Sequence, residues 1–522
     1  MPTRISSALS IRREAAELAH ERSSQEQLNN GDESSYRNSS GDLSYIGNFH
    51  KGLQHNPLGE LEQPAHYRAL VRAMSTGESA DFESIPLANI VDPPRQRSLV
   101  NPQAGLAFDL QGPDAQSVTM PPAPRIDSAE AAGEMGELYW MALLRDIPFS
   151  EFSTDADVAA AASSLSNDFT DFRGPKSGGV VTPQTLFRGL TPGDLKGPYI
   201  SQFLLRRINY GTMRITQRQR TAVSGQDYMI AFDEWLRIQN GEDVSPSAPG
   251  TFDPVRRYIR TMRDLATYVH FDALYEAYLN ACLILLDLDA PFDPGNPYVD
   301  SSTQEGFGTF GGPHILSLVT EVATRALKAV WYQKWSTHRR LRPEAMGGLI
   351  HNELTGSASY PIHPDILDNS AGSLLERVQN ANTAAAENTF LLPMAFREGS
   401  PMHPAYGAGH ATVAGACVTL LKAWFNESAE LPGNTVVSRP NGRSLETATD
   451  NPRLTVGDEL NKLAANISIG RNMAGVHWRT DYTESIRLGE CVAIGLMQEQ
   501  KLCFNETSAL GLTRFDGKRV VI

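Results

Sequence analysis

The sequence predicts an all-α, mainly helical protein built from bundled helices with long loops and few short strands. Several long segments place apolar residues at helical spacing. Alternating strand patterns are sparse, and the chain shows neither an internal repeat nor a coiled-coil heptad pattern. Helices with one apolar stripe bury it against other helices, which favours bundles.

Composition excludes several classes of protein. The 522 residues are 41% hydrophobic and 20% charged, which is typical of a globular chain and rules out a mainly disordered, collagen-like or disulfide-framed one. The formal net charge of −14 argues against nucleic acid as the main partner. Four cysteines without a CxxC pair give a zinc site no support.

The N-terminal region is polar. Residues 20–60 lack the apolar content of a core, so we expect a polar arm over 1–60 and a single helical domain over 61–522. No apolar run reaches the roughly 18 residues that span a bilayer, and the first residues lack the apolar stretch of a secretory signal. We therefore expect a soluble protein without a membrane partner, cytoplasmic or exported by an unknown route.

The first half of the domain contains three helical segments. Apolar spacing begins at Ala129 in AEAAGEMGELYWMALLRDIPF, and residues 252–287 predict one or two amphipathic helices. Residues 314–341 predict another helix, which Pro343 ends because proline lacks an amide donor and disfavours helix before it.

The second half of the domain contains three more predicted helices. A helix is predicted from His410 to about Asn426, and the turn-rich loop 427–453 has PNGR as a hairpin tip. Two further helices cover roughly 457–474 and 481–500.

The first segment with chemical interest is KWSTHRRLRPE, residues 334–344. On a continuous helix Lys334 and Arg342 would lie about 80° apart around the axis and about 12 Å along it. They converge on one ligand only if the chain bends near Arg342, and Pro343 supplies a bend. By itself, a segment of this kind is more often a solvated basic helix end.

The second segment is SPMHPAYGAGHA, residues 400–411. Gly407 and Gly409 allow tight turning just before a helix that opens with His410, and a helix start attracts anions. His410 could transfer a proton near neutral pH, although a histidine at a helix start is more often a structural contact. His403 lies seven residues earlier in the same loop.

The third segment is GRNMAGVHWRTD, residues 470–481. Gly475 is a natural helix end, after which the chain can return His477 to the side of Arg471. Asp481 with Glu484 forms a capping-box pattern, and Asp481 could instead orient the His477 ring. Together the three segments supply the charged donors that a buried tetrahedral oxyanion requires.

The order K-x7-RP, HP-x-Y-x-x-GH, R-x5-H-W-x2-D resembles the vanadium-dependent haloperoxidases, and most of all their algal and cyanobacterial bromoperoxidase branch. The segment GELYWMALLRDIPF is also similar to that branch, and the resemblance covers roughly residues 130–500. It implies two four-helix bundles and a homo-oligomer, dimer or higher.

The resemblance also implies an activity. Hydrogen peroxide, activated on vanadate, oxidises bromide, with iodide as a second candidate halide. The product is a hypobromite-type electrophile that halogenates a small organic substrate. It assigns vanadate binding to Lys334, Arg342, Gly409, Arg471 and His477, the last as the vanadium ligand. Lys334 would also polarise the peroxide, His410 would act as the acid–base group, and His403 would lie near the halide.

One position departs from the family pattern, where serine is frequent and this chain has Ala408. A hydrogen bond to a charged group is worth about 1.5–3 kcal/mol, so weaker vanadate retention is expected. Two alternatives stay open at this point. One is an acid phosphatase of the same superfamily, with His477 as nucleophile and His410 as leaving-group acid, and the other is an inactive oxyanion-binding or assembly protein.

Acidic residues outside these segments have two interpretations each. The four aspartates of the loop after residue 286 could hold a structural calcium ion, or they could form a solvated turn, since their spacing fits no EF-hand; they are Asp287, Asp289, Asp293 and Asp300. Asp272 could be a buried partner of one of the basic ligands or an exposed helix residue.

Overall fold

The computed structural model describes residues 3–22, 25–88, 90, 96–244 and 252–522, and it confirms the predicted mainly helical class. The α-helices of the described residues are α1 (Arg4–Glu21), α2 (Asp32–Ser35), α3 (Pro64–Thr76), α4 (Ser79–Glu83), α5 (Ala129–Leu143), α6 (Ala156–Asn167), α7 (Phe232–Gln239), α8 (Met262–Phe271), α9 (Glu276–Asp287), α10 (Gly312–Tyr332), α11 (Pro343–Leu354), α12 (Leu374–Ala384), α13 (Gly409–Trp424), α14 (Val456–Met473) and α15 (Arg479–Lys501).

Short strands form three antiparallel pairs in the same described ranges. The strands are β1 (Ile208–Tyr210), β2 (Met213–Ile215), β3 (Val436–Ser438), β4 (Leu445–Thr447), β5 (Gly511–Thr513) and β6 (Arg519–Val521). The predicted PNGR tip lies between β3 and β4, which pair with Val436 opposite Thr447. This hairpin prediction is confirmed.

Helix α13 forms the centre of the core, where it packs against α10, α14 and α15. Its residues are apolar or small and almost all buried, so it presents no polar face to solvent. Glycine makes the contact with α15 close: a Cβ at Gly415 would lie 2.0 Å from the Ile486 carbonyl oxygen, and one at Gly489 would lie 2.0 Å from that of Thr412. The close packing fixes the start of α13 relative to α15.

Most predicted helices are confirmed with small shifts at their ends. The segment from Ala129 forms α5, and the helices predicted at 410–426, 457–474 and 481–500 are α13, α14 and α15. Within the amphipathic segment 252–287, only 262–271 and 276–287 are helical, as α8 and α9, so the prediction of helix over 252–261 is wrong. The number of four-helix bundles stays a prediction.

Two predicted helix ends are wrong. The helix before Pro343 ends at the π-helical turn Gln333–His338, after which Arg339 adopts a left-handed conformation with φ 44°. Pro343 is the first residue of α11, a position that tolerates its missing amide hydrogen. Asp481 lies inside the first turn of α15, which begins at Arg479. It belongs to a capping box with Trp478, from whose amide it accepts a hydrogen bond, and not to the predicted one with Glu484.

The N-terminal region differs from the predicted arm. Tyr45, Phe49 and Leu53 are buried, and they pack in a cluster with Trp335 next to the segment that carries Lys334. The expectation that residues 20–60 contribute nothing to the core is wrong there, because aromatic residues among the polar ones suffice to anchor the segment. Residues 1, 2, 23 and 24 of that arm lie outside the described residues, and the domain boundary at residue 60 stays a prediction.

No single helix among the described residues is long and apolar enough to cross a membrane. Helices α8 and α9 pass that test as a pair, but they are bent by 99° relative to each other.

Candidate active site

The three sequence segments converge on one buried site. Lys334 lies in the π-helical turn after α10, Arg342 directly precedes α11, and Arg471 lies in the last turn of α14. His403 comes from the loop before α13, and His477 from the short connection between α14 and α15. All five side chains are buried, so the fold assembles a cationic interior from distant parts of an acidic chain.

Arg342 is the centre of this arrangement. Its Nη1 lies 3.2 Å from His477 Nε2, and its Nη2 lies 2.8 Å from His403 Nδ1. The same guanidinium donates to the backbone carbonyls of His403 at 2.9 Å and Val476 at 2.7 Å. These bonds hold the two histidine-bearing loops together.

His477 is oriented by the carboxylate of Asp481. His477 Nδ1 lies 2.7 Å from Asp481 Oδ2, which also accepts a hydrogen bond from the Trp478 amide at 3.1 Å. Burial and the nearby guanidinium of Arg342 hold the His477 pKa well below its usual range, so the ring is neutral. Because Nδ1 donates to the carboxylate, Nε2 carries the lone pair on the side of Arg342.

The second oxygen of Asp481 is paired with a further arginine. Arg340 Nη1 donates to Asp481 Oδ1 at 2.9 Å, and Arg340 Nη2 donates to Glu134 Oε2 at 2.7 Å. Arg340 therefore binds the carboxylate that orients His477, and its charge is neutralised by Asp481 and Glu134.

The three predicted anion-binding side chains lack such neutralisation. Lys334 donates to the carbonyls of Pro404 and Ala405, and Arg471 donates to the carbonyl of Val269. The Nε of Arg471 is buried and has no hydrogen-bond partner among the described residues. Buried cations without a carboxylate bonded to them require an anion or lose their charge.

Burial acts on these cations through their pKa values. Desolvation lowers the pKa of Arg342 to about 9 and that of Arg471 to about 10. Desolvation and the neighbouring arginines hold the pKa of Lys334 well below its usual range. A bound anion would raise the pKa values of all three, because a negative charge favours the charged form of each cation.

The N-terminus of α13 brings the amide of Gly409 and the side chain of His410 to the site. Gly409 is the first residue of the helix, so its amide has no acceptor within the helix. His410 Nε2 lies 3.0 Å from Asp272 Oδ1. Burial raises the pKa of Asp272, but the facing His410 and Arg471 lower it overall, so the carboxylate stays ionised.

This contact resolves the role left open for Asp272. It lies at the break between α8 and α9, where it is buried against a histidine and near Arg471. It is thus the buried acidic partner of a basic site residue.

His403 is neutral and faces an aromatic side chain. Desolvation and the nearby Lys334 hold its pKa well below the usual range. An arginine can only donate, so His403 Nδ1 accepts from Arg342 and the ring hydrogen resides on Nε2. The Trp331 ring centroid lies 4.9 Å from that of His403 and 5.5 Å from Lys334 Nζ.

Ala408 is buried next to a serine hydroxyl from α15. Its amide donates to Ser485 Oγ at 2.8 Å, and a Cβ at Gly407 would come within 2.5 Å of the same oxygen. Gly407 therefore allows the loop before α13 to approach Ser485 of α15 closely.

Three residues at the site escaped the sequence-based prediction: Trp331, Arg340 and Ser485. Trp331 precedes Lys334 by three residues, a spacing that places two side chains on the same face of a helix. This spacing could have predicted that Trp331 lies beside Lys334. Arg340 is one of three arginines in HRRLRP, and nothing in that pattern separates the ligand from the supporting residue. Ser485 gives no local signal, because only the packing of α13 on α15 brings it to the loop.

The acidic loop after α9 does not form a cluster. Asp293 Oδ1 accepts from the amides of Gly295 and Gly511, and both carboxylate oxygens of Asp287 accept from Asn209. In the described part of the chain, no three His, Cys, Asp or Glu side chains group as metal ligands.

The donor set fits a vanadate-like oxyanion. It combines three buried cations, a free helix-terminal amide and a neutral imidazole whose Nε2 has a lone pair. The unpartnered Nε of Arg471 is one donor that such an anion would satisfy. A histidine ligand whose other nitrogen bonds to a carboxylate is the usual arrangement at metal centres.

Comparisons with known proteins agree with this geometry. Residues 369–506 match the family model described as the VCPO second helical-bundle domain. The chain is 41% identical over 594 aligned positions to a vanadium-dependent bromoperoxidase of Corallina pilulifera, covering 100% of this chain and 99% of that one. It is 36% identical over 490 positions to one of Ascophyllum nodosum, covering 92% and 86%.

A solved structure has the same fold. The homohexameric second vanadate-dependent bromoperoxidase of Ascophyllum nodosum superposes with a TM-score of 0.91 at 31% sequence identity, covering 100% of this chain and 91% of that one. Full-length similarity of this degree leaves one conclusion: the chain belongs to the vanadium-dependent bromoperoxidase family.

Proposed function

We propose that this protein is a vanadium-dependent bromoperoxidase, which uses hydrogen peroxide to oxidise bromide to an electrophile that halogenates organic substrates. The observation that carries the proposal is the site itself. Lys334, Arg342 and Arg471 lie buried around His477, and none of the three bonds to a carboxylate among the described residues.

In the proposed reaction the protein first binds vanadate and orients it. Lys334, Arg342, Arg471 and the Gly409 amide hold the oxygens of vanadate, and the Nε2 lone pair of His477 supplies the ligand. Bound vanadate supplies Lewis-acid activation of hydrogen peroxide without a change of oxidation state. Asp481 keeps the proton of His477 on Nδ1, so that Nε2 stays available.

His410 performs the proton transfer in this proposal. Its Nε2 is held by Asp272, which leaves Nδ1 to take a proton from hydrogen peroxide and return one later. The ionised Asp272 stabilises the protonated imidazole between the two events.

His403 and Trp331 form the wall that we assign to the halide. The hydrogen on His403 Nε2 offers a donor to an anion, and the Trp331 ring makes the side of His403 that it faces apolar. Lys334, next to the Trp331 ring, donates toward the peroxide.

Two assays test the proposed function against its alternatives. Vanadate-loaded protein should brominate an organic acceptor only when bromide and peroxide are both present, and His477→Ala should be inactive. Hydrolysis of an aryl phosphate without bromination would identify an acid phosphatase. Absence of both activities in a protein that binds vanadate would identify an oxyanion-binding protein.

We also propose that the protein is a homo-oligomer, dimer or higher. The related Ascophyllum nodosum protein with the same fold is described as homohexameric. Structural calcium at the loop after α9 stays a prediction, and elemental analysis of the purified protein tests it together with vanadium.

A further inference from the structure

A cavity of about 270 Å³ lies on the outer side of the break between α8 and α9. Its walls combine aromatic rings, arginines and acidic residues; the residues that matter here are Arg220, Phe252, Arg256, Phe271, Asp272 and Glu276. The volume suits a single substituted benzene ring with a short side chain.

The cavity adjoins the candidate active site through Asp272. This residue lines the cavity, and its carboxylate lies 3.0 Å from Nε2 of His410. A second series of contacts starts at Phe271, which also lines the cavity. The Phe271 ring contacts His270, His270 packs against Phe396, and Phe396 lies under the guanidinium of Arg471. A ligand in the cavity would therefore lie beside the acid–base pair.

The aromatic side of the cavity is preorganised. The ring centroids of Phe252 and Phe271 lie 5.4 Å apart at an interplanar angle of 60°, and Phe271 is 49% exposed. Half-exposed aromatic rings around a concave surface favour a flat apolar ligand.

Two arginines of the cavity lack partners. The Arg220 guanidinium lies 3.8 Å above the Phe252 ring, a cation–π contact that leaves its N–H donors available. Among the described residues, neither Arg220 nor Arg256 forms a side-chain hydrogen bond or an ion pair. Two available guanidiniums beside aromatic rings are suited to an aromatic ligand that carries a carboxylate.

The distribution of charge orients such a ligand. Arg220 and Arg256 are exposed, whereas the Asp272 side chain is buried at 4% exposure beside His410. A carboxylate is repelled by Asp272 and attracted by the arginines, so the neutral ring points inward.

We propose that this cavity binds the organic halogen acceptor, and that the preferred acceptor is a phenol bearing a carboxylate on a short chain. The proposal rests on the proposed bromoperoxidase function, which supplies hypobromous acid from bromide and peroxide. A ring carbon forms a C–Br bond while the Br–O bond breaks. The displaced ring proton and the departing hydroxide leave as water.

A competition experiment tests this binding site. Vanadate-loaded protein is given bromide, peroxide and an equal mixture of 3-(4-hydroxyphenyl)propionate and its methyl ester, whose rings have nearly equal reactivity. Reagent hypobromous acid, without protein, gives the reference product ratio. We expect the protein to favour the carboxylate over that reference by about tenfold, the effect of one charge-assisted contact.

Variants assign the preference to the arginines. R220A/R256A should reduce the ratio to the reagent value and abolish calorimetrically detected binding of 3-(4-hydroxyphenyl)propionate, whereas R218A, a neighbouring exposed arginine, should change neither. Oxidation of iodide to triiodide requires no organic acceptor, so it should be equal in all three proteins.

A wild-type product ratio equal to the reagent ratio would overturn the proposed cavity, even with iodide oxidation intact. A tenfold preference that R220A/R256A retains would overturn its assignment to these arginines. Loss of iodide oxidation in the wild-type protein would instead contradict the proposed function.

Discussion

At the scale of single residues, the Asp481 carboxylate decides how His477 faces a bound anion. Its hydrogen bond to Nδ1 at 2.7 Å fixes the tautomer and leaves the lone pair on Nε2, which lies 3.2 Å from Arg342 Nη1. Partners of this kind typically contribute 10–100-fold to metal affinity. We predict that Asp481→Asn weakens vanadate binding by about that factor, measured by equilibrium dialysis.

The matched control for Asp481→Asn is Glu484→Gln, one turn along the same helix, where the carboxylate bonds to the exposed Arg487. It should leave vanadate binding unchanged. Equal affinities in both variants and the parent would contradict the role of Asp481.

Ala408 gives a prediction in the opposite direction. It is the residue before the free amide of Gly409, and it lacks the hydroxyl that the family often has there. Ala408→Ser should tighten vanadate binding by about 10–100-fold, the equivalent of one hydrogen bond to a charged group. Ala411→Ser, one turn into α13, is the control, and unchanged affinity in Ala408→Ser would refute the prediction.

The buried arginines predict a pH dependence for anion binding. Burial lowers the pKa of Arg342 to about 9 and of Arg471 to about 10, against an ordinary value of 12.5. At pH values between the lowered pKa of the folded protein and the ordinary pKa of 12.5, the unfolded chain binds more protons than the folded one. The stability of the anion-free protein therefore rises with pH in this range. Below pH 9 both groups are charged, and a bound anion offsets their desolvation.

We therefore predict that phosphate raises Tm most at neutral pH and progressively less above pH 9. Thermal unfolding between pH 7 and pH 10 measures this, with chloride at the same ionic strength as control. A phosphate-induced increase in Tm that grows with pH would contradict this prediction.

The residues that hold the anion could be predicted from sequence because they occur in short motifs with fixed spacing. Their supporting residues could not. Arg340 reaches Asp481 across 141 positions of the chain, and only the packed fold creates that pair. The Asp272–His410 contact spans 138 positions and was a possibility that sequence alone left open.

At the scale of elements, the segment around Tyr45–Leu53 is part of the site's support. Lys51 Nζ lies 2.6 Å from Glu344 Oε1, in the first turn of α11, and donates to the carbonyls of Glu398 at 2.9 Å and Ser400 at 2.8 Å. It thereby ties the start of α11 to the loop that leads to His403.

We predict that Lys51→Met lowers the free energy of unfolding by about 3–5 kcal/mol, because it leaves the Glu344 carboxylate buried without its cation. Urea unfolding measures the loss. The control is Lys196→Met, since Lys196 pairs with Asp458 at 62% exposure and should contribute at most about 1 kcal/mol. Similar losses in both variants would contradict the importance of burial.

Helices with long periodic patterns were predictable, and segments held by long-range contacts were not. Helices α5, α13, α14 and α15 follow from apolar spacing, whereas the polar composition of residues 20–60 concealed a buried anchor. Lys51 and Glu344 lie 293 positions apart, so no local pattern relates them. The bend after Lys334 comes from a π-helical turn and a left-handed Arg339, which sequence periodicity does not encode.

At the scale of the whole molecule, the acidic surface carries large apolar side chains that are exposed to very different degrees. Phe108 is 86% exposed and Leu110 is 99% exposed, two positions apart in one loop. Large apolar groups this exposed are typical of contact surfaces between subunits.

We predict that Phe108→Ser/Leu110→Ser converts the proposed homo-oligomer into smaller species while circular dichroism stays unchanged. Light scattering after size exclusion measures the mass. Val299→Ser, at 48% exposure, is the control. A monomeric parent, or an unchanged mass in the double variant, would contradict the prediction.

The fold's central consequence is a cationic interior within a chain of net charge −14. The most direct test is a crystal structure of the protein loaded with vanadate. We expect oxyanion density bonded through vanadium to His477 Nε2, with its oxygens in contact with Lys334, Arg342 and Arg471. Vanadium bound elsewhere, or density without a bond to His477, would contradict the account.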